Sequence, residues 1–438
     1  MTIEKLSQNY HNLQQNSLLP KYPNMKRAVI TGIGAVTPLG NNVADYWKGL
    51  VEGKSGAAMI THFDPVNHKT KFACEVKDFD PLLFMERQEI KKMDLFTQFA
   101  MAAASECIKD SGLNLDQNDL NRVGVIIASG NGGMQTYEDE ALNFLESMKI
   151  PRFSPFFVPK MIANIAAGQI SIRYGFHGVS YSIASACASS NNAIANALDL
   201  IRLGRADIIL AGGAEAPITE ASIGGFNALK ALSTLNDSPQ TASRPFDVNR
   251  DGFVAGEGAG VLMVEELEHA LKRGAKIYCE LAGYGAASDA FHVVATHPDG
   301  LGAILAMEAA IADAGISKSD VSYVNAHATS TPIGDVSECK ALETVFGELI
   351  GKISVSASKS MIGHMLGAAG AIEAIACIKS IENNIVHPTI NLDNIDPQLN
   401  PAFDFTPLLA RKREVLVALN NTFGFGGHAV CTAFKKYQ

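Results

Sequence analysis

Short apolar runs rich in Val and Ile alternate along the chain with longer Ala-rich stretches in which apolar residues recur at helical spacing. The first such run is RAVITGIGAV at residues 27–36, and VGVIIASG, VSYV and VLVAL repeat the pattern further along. Short strands alternating with helical segments are typical of an α/β protein. The pattern therefore predicts an α/β fold.

The first part of the chain departs from this pattern. Residues 1–24 are polar and rich in Asn and Gln, and we expect them to form a loosely ordered extension. They lack the charged-then-apolar order of a secretory signal and the Arg-rich, acid-poor composition of a transit peptide. Because no run of about 18 apolar residues follows, we expect no membrane-spanning segment.

The chain also resembles itself. A strand that closes on Gly-x-Gly occurs at residues 26–36 and again at 279–287. An Ala-rich helix ending in Asp-Ser-Gly leads to VGVIIASG, and another ending in Asp-Ala-Gly leads to VSYVNAHAT. SIASAC and SVSASK, each followed by a small-residue helix, form a third match. Three matches in one order predict two related α/β halves, residues 25–275 and 276–438.

Two stacked halves place equivalent strand ends close together. In such an arrangement, loops that are far apart in sequence converge on one site. The chemically useful residues at these strand ends are Cys187, His327, Lys359 and His364.

Composition narrows the class of protein. The chain has 438 residues, and its formal charge of −9 argues against a nucleic-acid binder, which needs dense Lys and Arg. Its seven Cys are odd in number, scattered and without a CxxC pair. They are therefore expected to be free thiols in a reducing, cytoplasmic environment, with neither a disulfide framework nor a zinc site.

Cys187 is the strongest candidate nucleophile. It lies where a strand-like run gives way to a helix-like one, in SIASACASSNNAIANAL. If the strand ends at Ala186, the thiol sits at a helix N-terminus, whose N–H groups and dipole favour the thiolate. The alternative is that Cys187 is a small buried apolar residue.

Three further residues have settings that suit catalysis. His327 directly follows VSYV and can act as a general acid or hydrogen-bond donor, or it is an ordinary loop histidine. Lys359 and His364 open a small-residue helix within about one and a half turns of each other, unless Lys359 is simply a surface residue. Glu373 would lie on nearly the same helix face as Lys359 and could neutralise it.

A glycine-rich loop after VLVAL completes the candidate site. In NTFGFGGH, the glycines allow the backbone to approach a ligand, while Phe423 and Phe425 offer apolar gating surface. A plain glycine turn is the alternative. One thiolate and two imidazoles suit acyl transfer followed by carbon–carbon bond formation better than hydrolysis, for which one His would suffice.

These motifs carry a family resemblance. SACAS, NAHATSTPIGD, KSMIGHMLGAAG and NTFGFGG, in this order, resemble the β-ketoacyl-acyl-carrier-protein synthases, the elongating condensing enzymes of type II fatty-acid synthesis. The likeness runs from Lys26 to Lys436. It implies a thiolase-like fold with αβαβα layers, usually a homodimer, and decarboxylative condensation of an acyl-enzyme with malonyl-acyl carrier protein to give 3-oxoacyl-acyl carrier protein.

The resemblance also implies roles for single residues. Cys187 would take the acyl chain, His327 and His364 would assist malonyl decarboxylation and hold the enolate, and Lys359 would support the site electrostatically. The backbone N–H groups of Cys187 and Phe425 would form the oxyanion hole. Phe425 and Phe423 would form the gate of the site. Thr329 and Thr331 would contact the phosphopantetheine arm.

The implied partner is acyl carrier protein, and no bound cofactor is expected. Carrier protein is strongly acidic, so this acidic enzyme needs a local basic landing site. By resemblance that site comprises Lys91, Lys92, Arg152 and Lys230, unless these are ordinary solvated charges.

The chain departs from the family pattern in places. Ser190 stands where Gly is common, Ile362 where Thr is usual, and His428-Ala429 where Thr-Asn is usual. Since that Asn helps to bind a monovalent cation in some relatives, beside a Glu matching Glu373, no metal is assigned. Three alternatives stay open: a ketosynthase of a polyene or polyketide pathway, a thiolase, and a non-catalytic chain-length partner subunit.

Overall fold

A computed structural model describes residues 25–438; the predicted extension, residues 1–24, lies outside the described part. The strands are β1 (Ala28–Val36), β2 (Ala58–Met59), β3 (Phe72–Ala73), β4 (Val123–Ala128), β5 (Ser180–Tyr181), β6 (Ile208–Glu215), β7 (Gly258–Glu266), β8 (Cys279–Ser288), β9 (Tyr323–Asn325), β10 (Ser354–Ser356), β11 (Ile385–Val386), β12 (Arg411–Lys412), β13 (Val417–Gly424) and β14 (His428–Lys435).

The helices are α1 (Val43–Val51), α2 (Arg87–Ile90), α3 (Leu95–Ser111), α4 (Met134–Glu146), α5 (Phe157–Met161), α6 (Ile165–Tyr174), α7 (Ser189–Arg202), α8 (Glu220–Ala228), α9 (Leu267–Lys272), α10 (Leu301–Asp313), α11 (Pro332–Phe346), α12 (Lys359–Ile362) and α13 (Ala369–Asn383).

The strand order shows the duplication directly. Ten strands form one sheet in the order β10-β9-β13-β14-β8-β1-β7-β6-β4-β5. Each half contributes five strands to this sheet. From the centre outward, the strands are β1, β7, β6, β4 and β5 in the first half and β8, β14, β13, β9 and β10 in the second. In chain order within each half, both series run first, fifth, fourth, second and third. The halves join where β1 pairs antiparallel with β8, through Val29 with Glu280 and Ile30 with Cys279. The predicted fold class, α/β with two duplicated halves, is confirmed.

Helices separate and cover the two half-sheets. α7 and α13 pack against each other and against strands of both halves, so they form the middle layer. α3 and α6 cover the outer face of the first half, and α10 covers that of the second. Ala, Ile and Leu side chains of α7 and α13 join one apolar core with β1, β6 and β7. α13 is apolar nearly all round its circumference because it is buried on every side.

The repeated Gly-x-Gly signal has a packing cause. A Cβ added at Gly34 of β1 would overlap the carbonyl oxygen of Ala103 in α3. In the other half, a Cβ at Gly285 of β8 would overlap the carbonyl oxygen of Ala306 in α10. Both outer helices therefore lie directly on a strand backbone, and only glycine permits that approach.

We expect Gly285→Ala to destabilise the protein by about 3 kcal/mol or more, because overpacking against backbone cannot be relieved by side-chain rotation. Urea denaturation measures the change. Gly168→Ala is the matched control, since nothing lies near the added methyl within α6, and it should be neutral or slightly stabilising. Equal stability of the Gly285→Ala variant and the wild type would contradict the close packing of α10 on β8.

Candidate active site

A tight turn presents Cys187. β5 ends at Tyr181, so the prediction of a strand running to Ala186 is wrong. Instead, Ala186 has a φ of 50°, and α7 begins at Ser189. The Ser189 hydroxyl accepts the N–H of Ser185 at 2.8 Å and donates to the carbonyl of Ala186 at 2.6 Å. The thiol still lies at the N-terminal end of α7, held by a strained turn.

Both imidazoles lie beside this turn. His364 Nε2 is 3.0 Å from Cys187 Sγ. The rings of His327 and His364 are 5.3 Å apart between centroids and nearly perpendicular. The ring of Phe423 lies 5.5 Å from that of His327. The first half therefore supplies the thiol, the second half supplies both imidazoles, and the three groups are close enough to contact one thioester.

A carboxylate that the sequence analysis missed holds the His327 loop. β9 ends at Asn325, and Glu338 of α11 accepts the N–H groups of His327 at 2.9 Å and Ala328 at 2.7 Å. Asn421 of β13 donates to the same carboxylate at 3.3 Å. A buried acid within an apolar helix face was the available signal, since Glu is rarely buried without a specific partner.

His364 is positioned by a break between helices. The sequence predicted one helix running from Lys359 past Glu373, but Gly363, with a φ of 68°, ends α12 before His364. The N–H of His364 then donates to Val254 at 2.7 Å. Lys359 nevertheless forms an ion pair with Glu373, and both side chains are buried. The predicted contact is present, although two separate helices make it.

Burial and one ammonium group keep the histidines neutral. Burial lowers the pKa of His327 and of His364 well below the usual value, and the positive charge of Lys359 lowers both further. The Nδ1 atom of each ring has no hydrogen-bond partner among residues 25–438. Each ring is therefore a neutral imidazole whose Nε2 can accept or donate one proton.

The thiol is also neutral at rest. Burial raises the pKa of Cys187 to about 12, although the Lys359 charge opposes the change and the carboxylate of Glu215 reinforces it. Burial therefore opposes the thiolate that the helix N-terminus was expected to favour. A neutral thiol needs a base when it reacts, and His364 is within reach.

The glycine-rich loop lies against Cys187. The backbone N–H of Phe425 points at the thiol and lowers its pKa slightly. A Cβ added at Gly424 would come within 2.9 Å of the Cys187 nitrogen, so the two backbones abut. Cys187 and Phe425, the two residues expected to form the oxyanion hole, therefore lie side by side.

One cavity of about 460 Å³ connects these groups. Phe423 and Phe425 line it beside Cys187, and Thr329 and Thr331 line another part, with their hydroxyl oxygens 3.1 Å apart. Lys230 lies at its exposed edge. The site is thus a channel whose reactive groups are buried, with Lys230 and Asp251 at its exposed edge.

Glu215 is a second acid that the sequence analysis missed. It ends β6, is fully buried in the cavity wall and accepts N–H groups from Gly130 at 3.0 Å, Asn131 at 3.1 Å and Gly367 at 3.3 Å. It ties the loop after β4 to the segment that follows His364. An acid closing the apolar run IILAGGA was the signal in the sequence.

The four proposed patch residues are exposed. Lys91 and Lys92 follow α2, Arg152 lies between α4 and α5, and Lys230 follows α8. Lys92 Nζ lies 5.9 Å from the ring centroid of Phe156, which brings the first two of these segments together.

The departures from the family pattern have identifiable contacts. The Ser190 hydroxyl accepts the N–H of Ala371 at 3.0 Å and so links α7 to α13. Ile362 is buried in the central core, and His428 lines the cavity at its exposed edge. Across residues 25–438, no group of three or more His, Cys, Asp or Glu side chains could hold a metal ion.

Comparison with known proteins defines the class. The model of the beta-ketoacyl synthase N-terminal domain matches residues 25–270, and that of the C-terminal domain matches residues 278–393. The chain belongs to the beta-ketoacyl synthase family, and the predicted family and enzyme class, an acyltransferase that forms 3-oxoacyl products, are confirmed.

Individual relatives narrow the class further. The chain is 48% identical to 3-oxoacyl-(acyl-carrier-protein) synthase 2 of Synechocystis sp. over 94% of its length and 99% of that protein. It is 48% identical to the enzyme of the same name from Vibrio harveyi and 45% identical to that from Staphylococcus aureus, with the same coverage. These relatives favour the condensing enzyme of fatty-acid elongation over the alternatives.

Solved structures agree on the fold. A beta-ketoacyl synthase from Burkholderia phymatum has a TM-score of 0.88 and 34% identity, with 94% of this chain and all of that chain covered. A type II polyketide ketosynthase in complex with its acyl carrier protein has a TM-score of 0.87 and 34% identity at the same coverage. Within residues 25–438, no helix is both long and apolar enough to cross a membrane.

We expect Lys359→Met to raise the pKa of His327 and of His364, because the variant removes the positive charge that helps to keep both rings neutral. In the wild type, the two rings should stay neutral until the pH falls well below 6.5. In the variant, they should become protonated at a higher pH. NMR titration of histidine labelled with ¹³C at Cε1 measures both values.

Lys379→Met is the control, since Lys379 also pairs with a carboxylate, Glu382, but lies away from the cavity. It should leave the two titrations unchanged. Identical titrations in the Lys359→Met variant and the wild type would show that the ammonium does not govern the imidazoles.

Proposed function

We propose that acylation begins with attack by Cys187 on an acyl thioester. As sulfur bonds to the carbonyl carbon, His364 Nε2 accepts the thiol proton across the 3.0 Å contact. The N–H groups of Cys187 and Phe425 hold the oxyanion. Collapse of the tetrahedral intermediate expels the carrier thiolate, which takes the proton from His364, and the acyl chain remains on Cys187.

The second stage forms the carbon–carbon bond. The malonyl thioester carbonyl lies between the neutral imidazoles of His327 and His364. After acylation, the single proton of His364 moves from Nδ1 to Nε2, so that both rings donate an Nε2–H to the thioester oxygen. The malonyl carboxylate leaves as CO₂, and the electron pair of the broken bond forms an enolate that the two donors stabilise. Its carbon attacks the acyl-Cys187 carbonyl, and the C–S bond to Cys187 breaks. The sulfur leaves as a thiolate that takes a proton from water, which releases the 3-oxoacyl thioester.

The convergence of one thiol and two neutral imidazoles carries this proposal. A charged imidazolium would protonate an enolate, whereas a neutral imidazole donates a hydrogen bond and leaves the carbanion reactive. Lys359 therefore acts by keeping both rings neutral, and Glu373 compensates its buried charge.

We propose that both substrates are carried on the phosphopantetheine arm of acyl carrier protein. The Thr329 and Thr331 hydroxyls in the cavity are suited to hydrogen-bond the amides of that arm. Lys91, Lys92, Arg152 and Lys230 would receive the acidic carrier, and the position of Lys230 at the cavity edge supports this assignment. Phe425 and Phe423 would open once Cys187 is acylated.

We further propose that the protein is a cytoplasmic homodimer. β5 is a short strand at the edge of the ten-stranded sheet and pairs only with β4 within residues 25–438, so its other side is open to a second copy. Ile172 of α6, the helix that packs against β5, is an exposed apolar side chain that would be covered at such an interface. All seven cysteines are free, as expected in a reducing compartment.

The alternatives fit the site less well. A thiolase needs a second Cys as base, but Cys431 is fully buried in β14 and does not line the cavity. A chain-length partner subunit needs no nucleophile, whereas Cys187 and both histidines are in place.

We expect Cys187→Ala to stop condensation and to leave measurable decarboxylation of malonyl-acyl carrier protein, because the imidazoles stabilise the enolate without the thiol. Released ¹⁴CO₂ and 3-oxoacyl product are measured in the same reaction. Cys431→Ala is the control and should support both steps. Full condensation by the Cys187→Ala variant would refute the assignment of the nucleophile.

We expect Lys230→Glu to weaken binding of acyl carrier protein by about 1 kcal/mol or more and to reduce its salt dependence, since one attractive charge becomes repulsive. Fluorescence anisotropy of labelled carrier at several salt concentrations measures both effects. Lys412→Glu makes the same charge change on β12 and does not line the cavity, so it serves as the control. Carrier affinity that is unchanged in the Lys230→Glu variant would exclude this residue from the patch.

A further inference from the structure

A cluster of buried amides lies behind the active site, on the side away from the cavity. Asn191 of α7, Asn325 of β9 and Asn420 of β13 are all fully buried. The side chain of Asn420 donates to Asn191 Oδ1 at 3.0 Å and to the carbonyl of Gly370 at 2.8 Å, and it accepts from Asn325 Nδ2 at 3.4 Å.

The elements joined in this way each carry part of the site. Asn191 lies four residues after Cys187, and Asn325 lies two residues before His327. Gly370 lies in the first turn of α13, whose Glu373 neutralises Lys359. Asn420 is in the strand that leads to Phe423 and Phe425. The Asn420 side chain therefore links its own strand, which leads to the oxyanion-hole residue Phe425, to three other elements: α7 after the nucleophile, β9 before His327, and α13, which carries the carboxylate partner of the cation.

Asn191 in turn donates hydrogen bonds to β13. Its Nδ2 donates to the carbonyl of Asn420 at 3.1 Å and to the hydroxyl of Thr422 at 3.0 Å, one residue before Phe423. Gly370 leaves the space for this side chain, since a Cβ there would lie 2.9 Å from Asn191 Cγ. The pair is thus bonded in both directions and enclosed by backbone.

Apolar side chains would fill this position at lower cost. Burying an amide is unfavourable unless each of its donors and acceptors finds a partner. Once these hydrogen bonds are made, they fix the distances between the elements that they join more tightly than apolar packing does. The remaining contacts between α7, α13 and the sheet are mostly made by Ala, Ile and Leu, whose packing includes no directional bond. The amide cluster is therefore suited to set the register between the two halves at the depth of the reacting groups.

We propose that Asn420 is a positioning residue, which fixes β13 against α7, α13 and β9 and so sets the Phe425 N–H and His327 relative to Cys187. Asn420 touches no reacting atom and acts through these elements. The inference rests on the proposed condensing function, and it identifies a residue outside the cavity on which the rate of that reaction depends.

The experiment distinguishes an effect of Asn420 on the position of the reacting groups from an effect on the stability of the fold. In the Asn420→Leu variant, the partners of the amide lose their bonds, and we expect a lower melting temperature. We also expect kcat of condensation to fall by about ten- to a hundredfold with KM for both carriers unchanged, because small displacements at a reacting centre cost that much.

The double variant Asn191→Leu with Asn420→Leu removes the central pair together, and the groups around it, including the Gly370 carbonyl, Asn325 Nδ2 and the Thr432 hydroxyl, each lose a bond. Its melting temperature should therefore be no higher than that of the Asn420→Leu variant, and kcat should remain at least about tenfold low, because apolar packing does not restore the register. A double variant with the kcat of the wild type would overturn the proposal. So would an Asn420→Leu variant with the kcat of the wild type.

Ser111→Ala is the matched control. Ser111 makes a buried hydrogen bond at the end of α3, in the outer layer, and its loss should lower the melting temperature without changing kcat. If neither leucine variant folds, Asn420→Ser keeps one hydroxyl but cannot reach α7, α13 and β9 at once. Its kcat should fall, and an unchanged kcat would overturn the proposal.

A second readout does not depend on the proposed function. The rate at which iodoacetamide alkylates Cys187, followed by peptide mapping, should fall in the Asn420→Leu variant and stay unchanged in the Ser111→Ala variant. A wild type that makes no 3-oxoacyl product refutes the condensing function. An unchanged alkylation rate in the folded Asn420→Leu variant refutes the positioning role.

Discussion

The buried ammonium of Lys359 is the constraint on which the site depends. An uncompensated charge at that depth would be strongly unfavourable, so Glu373 is required beside it. Burial lowers the pKa of both histidines, and the positive end of the pair lowers it further; the same charge opposes the effect of burial on the pKa of Cys187. The chemistry then proceeds from neutral groups, with charge appearing on sulfur and on the thioester oxygen only during reaction.

Duplication explains how such a site can be assembled. Each half places equivalent strands and helices in the same order, and β1 pairs with β8 across the join. Residues that follow equivalent strands therefore meet at the centre of the molecule, where α7 and α13 pack together. The first half contributes a turn with a thiol, and the second contributes loops with imidazoles and an ammonium. Neither half contains the full set.

Much of the fold could be predicted from the sequence, because its signals were local and repeated. The Gly-x-Gly pairs mark strands on which outer helices lie directly, and the Asp-Ser-Gly and Asp-Ala-Gly ends mark equivalent helices. Changes in the direction of the backbone at single residues could not be predicted from the sequence. Gly363 interrupts a stretch that reads as one helix, and the extended segment after Tyr181 follows a strand of only two residues.

The protonation states of the site residues also could not be predicted from local sequence patterns. The predicted helix N-terminus correctly indicated where the thiol lies. The pKa of that thiol depends on its burial by both halves, which a local pattern does not show. Glu215, Glu338 and Asn420 escaped notice for the same reason: their partners lie 83 to 229 residues away or sit on loops whose position only the fold defines.

The most direct measurement is the location of the acyl group after the enzyme reacts with acyl-acyl carrier protein in the absence of malonyl substrate. Peptide mapping by mass spectrometry distinguishes the seven cysteines. One acyl group per chain, on the peptide that contains Cys187 and absent when His364 is replaced by Ala, is the expected result. Acylation at another residue, or undiminished acylation of Cys187 without His364, would contradict a neutral buried thiol that depends on a base from the other half.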